Sequence, residues 1–426
     1  MSSLPANLLP DNATIAPDGR LKIAGVDAIE LADRFGTPLF VYDEDHVRAR
    51  CREAREAFPD GVAYASKAFL CKSMARLAHE EGMLLDVASG GEMYVARQAG
   101  VPADRLVLHG NNKSLVELRY AMREGIHRVV VDSFDELDRI AGLARDEGLP
   151  APKILLRITP GVEAHTHEFV QTGQDDSKFG FGVRVGHAKA AIERARALEA
   201  EGALRLVGLH AHVGSQVFEV GSFEKVIEVL TPIFAPLGLE ELCIGGGLGV
   251  AYVEGETSGS IREWGAAIRR ACEAQGLRAR ITAEPGRSIV AAAALTLYRI
   301  GTIKEIPGVR TYVSVNGGMS DNPRPVLYGS GYETFLARSA DAERTRTIRL
   351  VGKHCESGDL LVREGKVPAD IAVGDVISTP VTGAYGYSLG SNYNKVPRPA
   401  VVFVRDGQVR EVVRRETWDD LLRLDL

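Results

Sequence analysis

Between residues 43 and 290 the chain repeats one pattern, a short β-rich apolar run followed by an amphipathic stretch with helical spacing. The runs fall at 62–67, 84–88, 105–109, 128–132, 153–158, 205–212, 242–245 and 280–284. Stretches such as Ser114 to Glu124, Phe134 to Glu147, His187 to Glu201 and Phe223 to Leu237 lie between them. A strand that returns in the same direction needs a crossover, so alternating units imply a parallel sheet. Eight of them match a closed (β/α)8 TIM-type barrel better than an open sheet. A doubly wound fold would place a glycine-rich loop after the first strand, where Ala68-Phe69-Leu70 stands instead.

Outside the repeat the texture changes. Runs at Thr311 to Val315, Asp375 to Val381 and Ala400 to Val404 alternate with turns, and Asp406-Gly407 is a hairpin signal because both central positions of such a turn need positive φ. An antiparallel β domain is therefore expected from 291–426. The N-terminal runs Leu21 to Ala24 and Leu39 to Tyr42, with a helical segment at Asp27 to Phe35 between them, are expected to join it, so that 1–42 and 291–426 form one domain and 43–290 the barrel. Trp418 to Leu424 reads as a short amphipathic tail.

With 45% apolar and 25% charged residues the chain can fill two cores. Its net charge of −6 leaves no basic footprint for nucleic acid or an anionic membrane, which points to a small-molecule partner. Five cysteines, at 51, 71, 243, 272 and 355, show no framework spacing and fit a reducing cytoplasm. The opening segment carries prolines and aspartates without an apolar core, so no secretory signal is expected, and no run reaches bilayer length.

In such a barrel the chemistry sits at the C-terminal ends of the strands. Those ends offer Lys67, Asp86, His109 with Asn111 and Asn112, Arg157, His210 with His212 and Ser215, Gly245-Gly246-Gly247, and Glu284-Pro285-Gly286-Arg287. A lysine closing an apolar run is either a stem packed on the sheet with its head in water, or an amine used to attack a carbonyl. Glycines after the seventh strand suit a phosphate held by bare backbone N–H groups, with Arg287 as countercharge. A phosphate and a carbonyl-seeking amine at one mouth together suggest pyridoxal 5'-phosphate. Glu284 would then keep the ring nitrogen protonated, His212 could stack on the ring, and Asp86 could orient its neighbours.

These residues also lie in strings that resemble the bacterial diaminopimelate decarboxylases. They are YASKAF at 64–69, DVASGGE at 86–92, HGNNKS at 109–114, RITPGVEAHTH at 157–167, DSKFGF at 176–181, HVGSQ at 212–216, GGGLG at 245–249, EPGRS at 284–288, RPVLY at 324–328, CESGD at 355–359 and TGAYGYS at 382–388. Several, notably GGG, EPGR and CESGD, are shared with barrel-type decarboxylases of ornithine and arginine. The resemblance implies that Lys67 binds the cofactor aldehyde and that Asp86, Arg157, His212, Ser215, Gly246, Gly247, Glu284, Gly286, Arg287 and Tyr385 surround the cofactor. It implies that Arg287, Arg324, Tyr328, Glu356 and Tyr385 contact substrate. Cys355 would be the proton donor, contributed with Glu356 across a homodimer interface. The activity implied is decarboxylation of meso-2,6-diaminopimelate to L-lysine, the last step of lysine biosynthesis, with ornithine, arginine or lysine as alternative substrates.

The distal end of diaminopimelate carries both an amine and a carboxylate. Arg324 suits the carboxylate and Glu356 the ammonium, whereas an ornithine site needs only the acid. Two readings compete. The pairs His165-Thr166-His167 and His210-Ala211-His212 could bind zinc, though hydrolases with such a pair carry it on the first strand. A non-catalytic relative would tolerate loss of Lys67 or Cys355, and both are present.

Overall fold

The computed structural model describes residues 5–162 and 176–426. It divides into two compact units: Cys51–Gly249 with Ser258–Ser288, and Met1–Arg50 with Val250–Thr257 and Ile289–Leu426. The first unit holds eight parallel strands, β1 (Ala63–Ala65), β2 (Leu84–Val87), β3 (Leu106–Leu108), β4 (Arg128–Val131), β5 (Lys153–Thr159), β6 (Arg205–His210), β7 (Glu241–Cys243) and β8 (Arg280–Thr282), each paired with the next. The ring closes where the Ala63 N–H donates to the Ala283 carbonyl at 2.9 Å and the Ala65 N–H to the Pro285 carbonyl at 3.1 Å. Closure removes the sheet edges.

Ala63, Val107, Val130, Leu155, Val207 and Cys243, one from each of six strands, pack into one buried cluster, so the barrel is filled rather than hollow. The expected helices form over Leu115–Glu124, Phe134–Glu147, His187–Ala200 and Gly221–Phe234. Local chemistry sets their ends. Ser114 Oγ accepts the Glu117 N–H at 3.2 Å while Glu117 Oε2 accepts the Ser114 N–H at 2.8 Å, a reciprocal cap, and Gly125 ends that helix at φ +66.

The first β-run is shorter than its apolar pattern suggests. β1 stops at Ala65, and Ser66–Ala68 form a single 3-10 turn pinned by the Tyr64 hydroxyl, which donates to the Phe69 carbonyl at 2.7 Å. Lys67 therefore lies beyond the strand and is exposed, with Ser66 and Ala68 buried on either side. His212 likewise lies past the end of β6. A two-residue strand, Phe181–Gly182, adds in parallel to the end of β5.

The second unit is built on a nine-stranded sheet whose central path runs Leu360–Val367, Arg346–Val351, Arg310–Val315, Ala294–Ile306, Leu39–Asp43, Ala400–Arg405 and Gln408–Val413. Most pairs are antiparallel; Arg310–Val315 with Arg346–Val351 and Leu39–Asp43 with Ala400–Arg405 are parallel, so the sheet is mixed. Leu39–Asp43 is buried along its whole length. The segment Leu21–Ile23 does not join this sheet but forms a small antiparallel one with Ala13–Ile15 and Val26–Asp27. The hairpin at Asp406-Gly407 has φ values of +49 and +74, as its sequence requires. The tail is a 3-10 turn, Asp419–Leu422, that leaves Trp418 81% exposed. Among the described residues no helix is long and apolar enough to cross a membrane.

Candidate active site

The barrel unit gathers its ionisable groups around one carboxylate. Glu284, on the chain leaving β8, is buried, and both of its oxygens are engaged: His109 Nε2 lies 2.8 Å from Oε1 and His210 Nε2 lies 2.9 Å from Oε2. The imidazole planes meet edge to face with ring centres 5.0 Å apart. Burial pushes the Glu284 carboxyl up, but the two histidines outweigh it and hold Glu284 well below the usual carboxylate range. Asp86, on β2, lies 3.9 Å from His109 Nε2, and burial raises its carboxyl above the ordinary value. Burial alone would lower His109, yet Asp86 and Glu284 raise it; at His210 burial wins and the ring stays below its ordinary value.

Two cations flank this cluster. Lys67 acts electrostatically on Asp86, Glu92 and His212, which places its amine over the same mouth. Arg157, on β5, is buried, with Nε 4.0 Å from Asp132 Oδ1 and its guanidinium carbon 4.3 Å from the Phe179 ring centre. Burial, helped by Lys67 and Arg157, holds His212 well below the ordinary histidine value, so its ring is neutral and its Nδ1 accepts the Gly246 N–H at 3.2 Å.

After β7 the backbone forms a bare cradle. A Cβ at Gly246 would lie 2.2 Å from the Glu284 carbonyl oxygen, and one at Gly247, where φ is +112, would lie 2.0 Å from that of Gly214. Only glycine fits at either position, so the backbone there carries no Cβ to block the approach of a phosphate. Gly286 is also close-packed, though less so, a Cβ there meeting Ala65 Cβ at 2.9 Å. Arg287 is buried, and its Nη2 donates to Ser215 Oγ at 2.8 Å. An amine, a glycine cradle and an anionic carboxylate at one barrel mouth fit the donor set that pyridoxal phosphate needs.

The remaining expected residues lie in the β-rich unit. Arg324 opens a five-residue helix, Arg324–Tyr328, and is 4% exposed. Its guanidinium carbon is 4.2 Å from the Tyr252 ring centre and 5.5 Å from that of Tyr332, whose hydroxyl accepts from Nη1. Among the described residues its Nε is buried without a hydrogen-bond partner and no carboxylate comes within ion-pair distance. Tyr328 sits half-buried one turn on. Tyr385, also half-buried, holds φ at +60, a conformation uncommon for an aromatic residue. Cys355 and Glu356 are exposed on a loop held from below: Asp359 accepts the Met319 N–H at 2.7 Å and the His354 N–H at 2.8 Å, and Asn394 Oδ1 accepts the Cys355 N–H at 3.2 Å.

Sequence reasoning placed His109 and His210 at the mouth without a task, and passed over Asp132, which accepts the Gly180 N–H at 2.7 Å besides facing Arg157. Their signal was position alone, at the ends of the third, fourth and sixth runs. The pair His210-Ala211-His212 is split between Glu284 and Gly246 rather than converging on one point. His109, His210 and Glu284 are close enough together to hold a metal ion, but their ligand atoms satisfy one another. His165 and His167 lie outside the described residues.

Residues 44–291 match the family described as "Pyridoxal-dependent decarboxylase, pyridoxal binding domain". A diaminopimelate decarboxylase of Halalkalibacterium halodurans is 47% identical over 424 residues, covering 96% of this chain and 95% of that protein. One from Mycobacterium bovis is 46% identical over 444 residues, covering 99% and 98%. The crystal structure of a diaminopimelate decarboxylase from M. jannaschii in complex with L-lysine superposes with a TM-score of 0.88 at 32% identity, covering 98% of each chain. Likeness of this extent, end to end and over both units, means that the chain belongs to the diaminopimelate decarboxylases, within the pyridoxal-dependent decarboxylase family.

Proposed function

We infer that the protein is a carboxy-lyase that converts meso-2,6-diaminopimelate to L-lysine and carbon dioxide, the last step of lysine biosynthesis. The observation that carries this is Arg324, a buried guanidinium with a free Nε and no carboxylate of its own among the described residues. A buried cation left without an anion is costly unless a ligand supplies one. Diaminopimelate has a carboxylate at its non-reacting end to give; ornithine, arginine and lysine do not.

Pyridoxal phosphate, when bound, supplies an aldehyde that joins the substrate amine and a ring that takes up the electron pair left as carbon dioxide departs. Lys67 is the amine that attaches it, from a turn that keeps the side chain at the mouth. Gly246, Gly247 and Gly286 leave room for its phosphate, with Arg287 and Ser215 beside them. Glu284 presents an anion for the ring nitrogen, His212 a neutral ring able to stack, and Asp86 and Arg157 the surrounding charges. Arg324 receives the distal carboxylate as a fork, Glu356 the distal ammonium, and Tyr328 and Tyr385 line the substrate. Cys355 Sγ–H gives its proton to the carbon that has lost carbon dioxide and is recharged from solvent, to which it is open.

The exposed Cys355–Glu356 loop also suits a homodimer in which each subunit completes the other's site, and free cysteines suit the cytoplasm. Borohydride treatment of holoenzyme followed by peptide mapping, with carbon dioxide release measured from meso-diaminopimelate, ornithine, arginine and lysine, tests the assignment. Label at Lys67 and preference for diaminopimelate are expected. Label elsewhere, or preference for a substrate without the distal carboxylate, would refute it.

A further inference from the structure

Glu284 is gripped from two sides by histidines that the reaction as set out above does not use. His109 reaches Oε1 from the end of β3 and His210 reaches Oε2 from the end of β6, both through Nε2, at 2.8 and 2.9 Å. An ionised carboxylate only accepts, so both rings must carry hydrogen on Nε2. The two rings are not equivalent. Among the described residues His210 Nδ1 is buried without a partner, so a second proton there would bury an unsatisfied donor, and His210 is the neutral Nε2–H tautomer. His109 Nε2 has a second carboxylate, Asp86 Oδ1, at 3.9 Å, and Asp86 and Glu284 together raise that ring above its ordinary value. The ionisable groups facing the pair are Asp86 on β2, Glu92 on the helix after it, Arg157 on β5, His212 past the end of β6 and Glu284 after β8.

We propose that His109 and His210 are positioning residues that clamp Glu284 by its two oxygens, fixing its charge and its plane before the cofactor arrives. A lone buried carboxylate could meet a ring nitrogen either by rotating or by taking up a proton itself. Clamped between two Nε2–H donors, one on each oxygen, Glu284 can do neither cheaply. The inference rests on the reading of Glu284 as the partner of the ring nitrogen, and the test separates the two.

Glu284→Gln, His109→Leu, His109→Gln, His210→Leu and His210→Gln are compared for the dissociation constant of pyridoxal phosphate, the pH midpoint of the holoenzyme's absorption, and kcat and KM. Each leucine variant is expected to weaken cofactor binding about tenfold or more, as loss of a hydrogen bond to a charged group does. It should also move the absorption midpoint in the same direction as Glu284→Gln and lower kcat about tenfold with KM within about twofold. The glutamine variants, whose Nε2 can donate from nearly the same place, should recover most of each change. Where a leucine variant does not fold, the asparagine variant, too short to reach Glu284, replaces it. If leucine or asparagine variants lose thermal stability or kcat while the midpoint stays at the wild-type value, the clamp is refuted. If Glu284→Gln itself leaves the midpoint unchanged, it is the reading of Glu284 that falls.

Discussion

Replacing Arg324 with glutamine removes the one buried guanidinium that meets tyrosines and no carboxylate among the described residues, and keeps its volume roughly filled. At 4% exposure the site is little screened by solvent, so the lost pairing is worth what breaking a buried ion pair is worth, about 3–5 kcal/mol. In kcat/KM that is roughly 10²- to 5 × 10³-fold. Stability should move far less. Glutamine loses stacking on Tyr252, worth about 1–2 kcal/mol, but also relieves the free protein of an unpaired buried charge. The assay is carbon dioxide release from meso-diaminopimelate and from L-lysine, which lacks the distal carboxylate. The diaminopimelate reaction should fall by the full factor, mostly through KM, and the slow lysine reaction should stay within about threefold, collapsing the preference between them. An equal loss on both substrates, or kcat/KM for diaminopimelate within threefold of wild type, would refute the assignment of Arg324 to that carboxylate.

Mixing Lys67→Ala with Cys355→Ala protein should restore about a quarter of wild-type activity in a random one-to-one mixture, since half of the dimers then hold one intact site; mixtures as inactive as their parents would rule out a shared site. Gly247→Ala should cost about 3 kcal/mol or more in chemical denaturation because its Cβ meets the Gly214 carbonyl oxygen at 2.0 Å, whereas Gly125→Ala, also at positive φ but with nothing within 4 Å, should cost about 1 kcal/mol. Equal losses would mean that backbone conformation, not the close approach, matters at the cradle. Buried Asp321, bonded to the Tyr298 hydroxyl at 2.7 Å, is pushed by burial from 3.8 to about 7. The folded state holds this proton across a range in which the unfolded chain has released it, so stability should decline as pH rises from about 4 to about 7, by an amount on the order of 4 kcal/mol, and then level off. Asp321→Asn should flatten that decline in denaturation curves measured across the window; an unchanged slope would assign it to another group.

The barrel was legible because its signal is repeated eight times, and the periods of strand and helix survive small errors at each boundary. What misled was the meaning of an apolar run's end. Tyr64 to Lys67 reads as continuous strand, but pairing stops at Ala65 and a 3-10 turn follows, so Lys67 stands exposed beyond the strand rather than at its end. Glu284 could be picked out because acids at strand ends are few. Its histidine partners could not, because a contact between His109 and a residue 175 positions away is set by barrel closure and leaves no local pattern. The β-rich unit was read in outline from Asp406-Gly407 and its flanking runs, while the parallel placement of Leu39–Asp43 beside Ala400–Arg405 depends on a long-range pairing that alternation alone does not specify.

That pairing has a bearing on how the chain acquires its shape during synthesis. Leu39–Asp43 is made long before either of its neighbours, Ala294–Ile306 and Ala400–Arg405. Each of the first seven barrel strands finds a neighbour in the unit that follows it, so that half can consolidate progressively on the ribosome. The early hydrophobic strand must wait with both sides open until Ala294–Ile306 is made, and with one side open until Ala400–Arg405 follows. Shortening the chain before residue 400 would leave it permanently half-covered, and insolubility rather than mere inactivity is the failure such truncations should display.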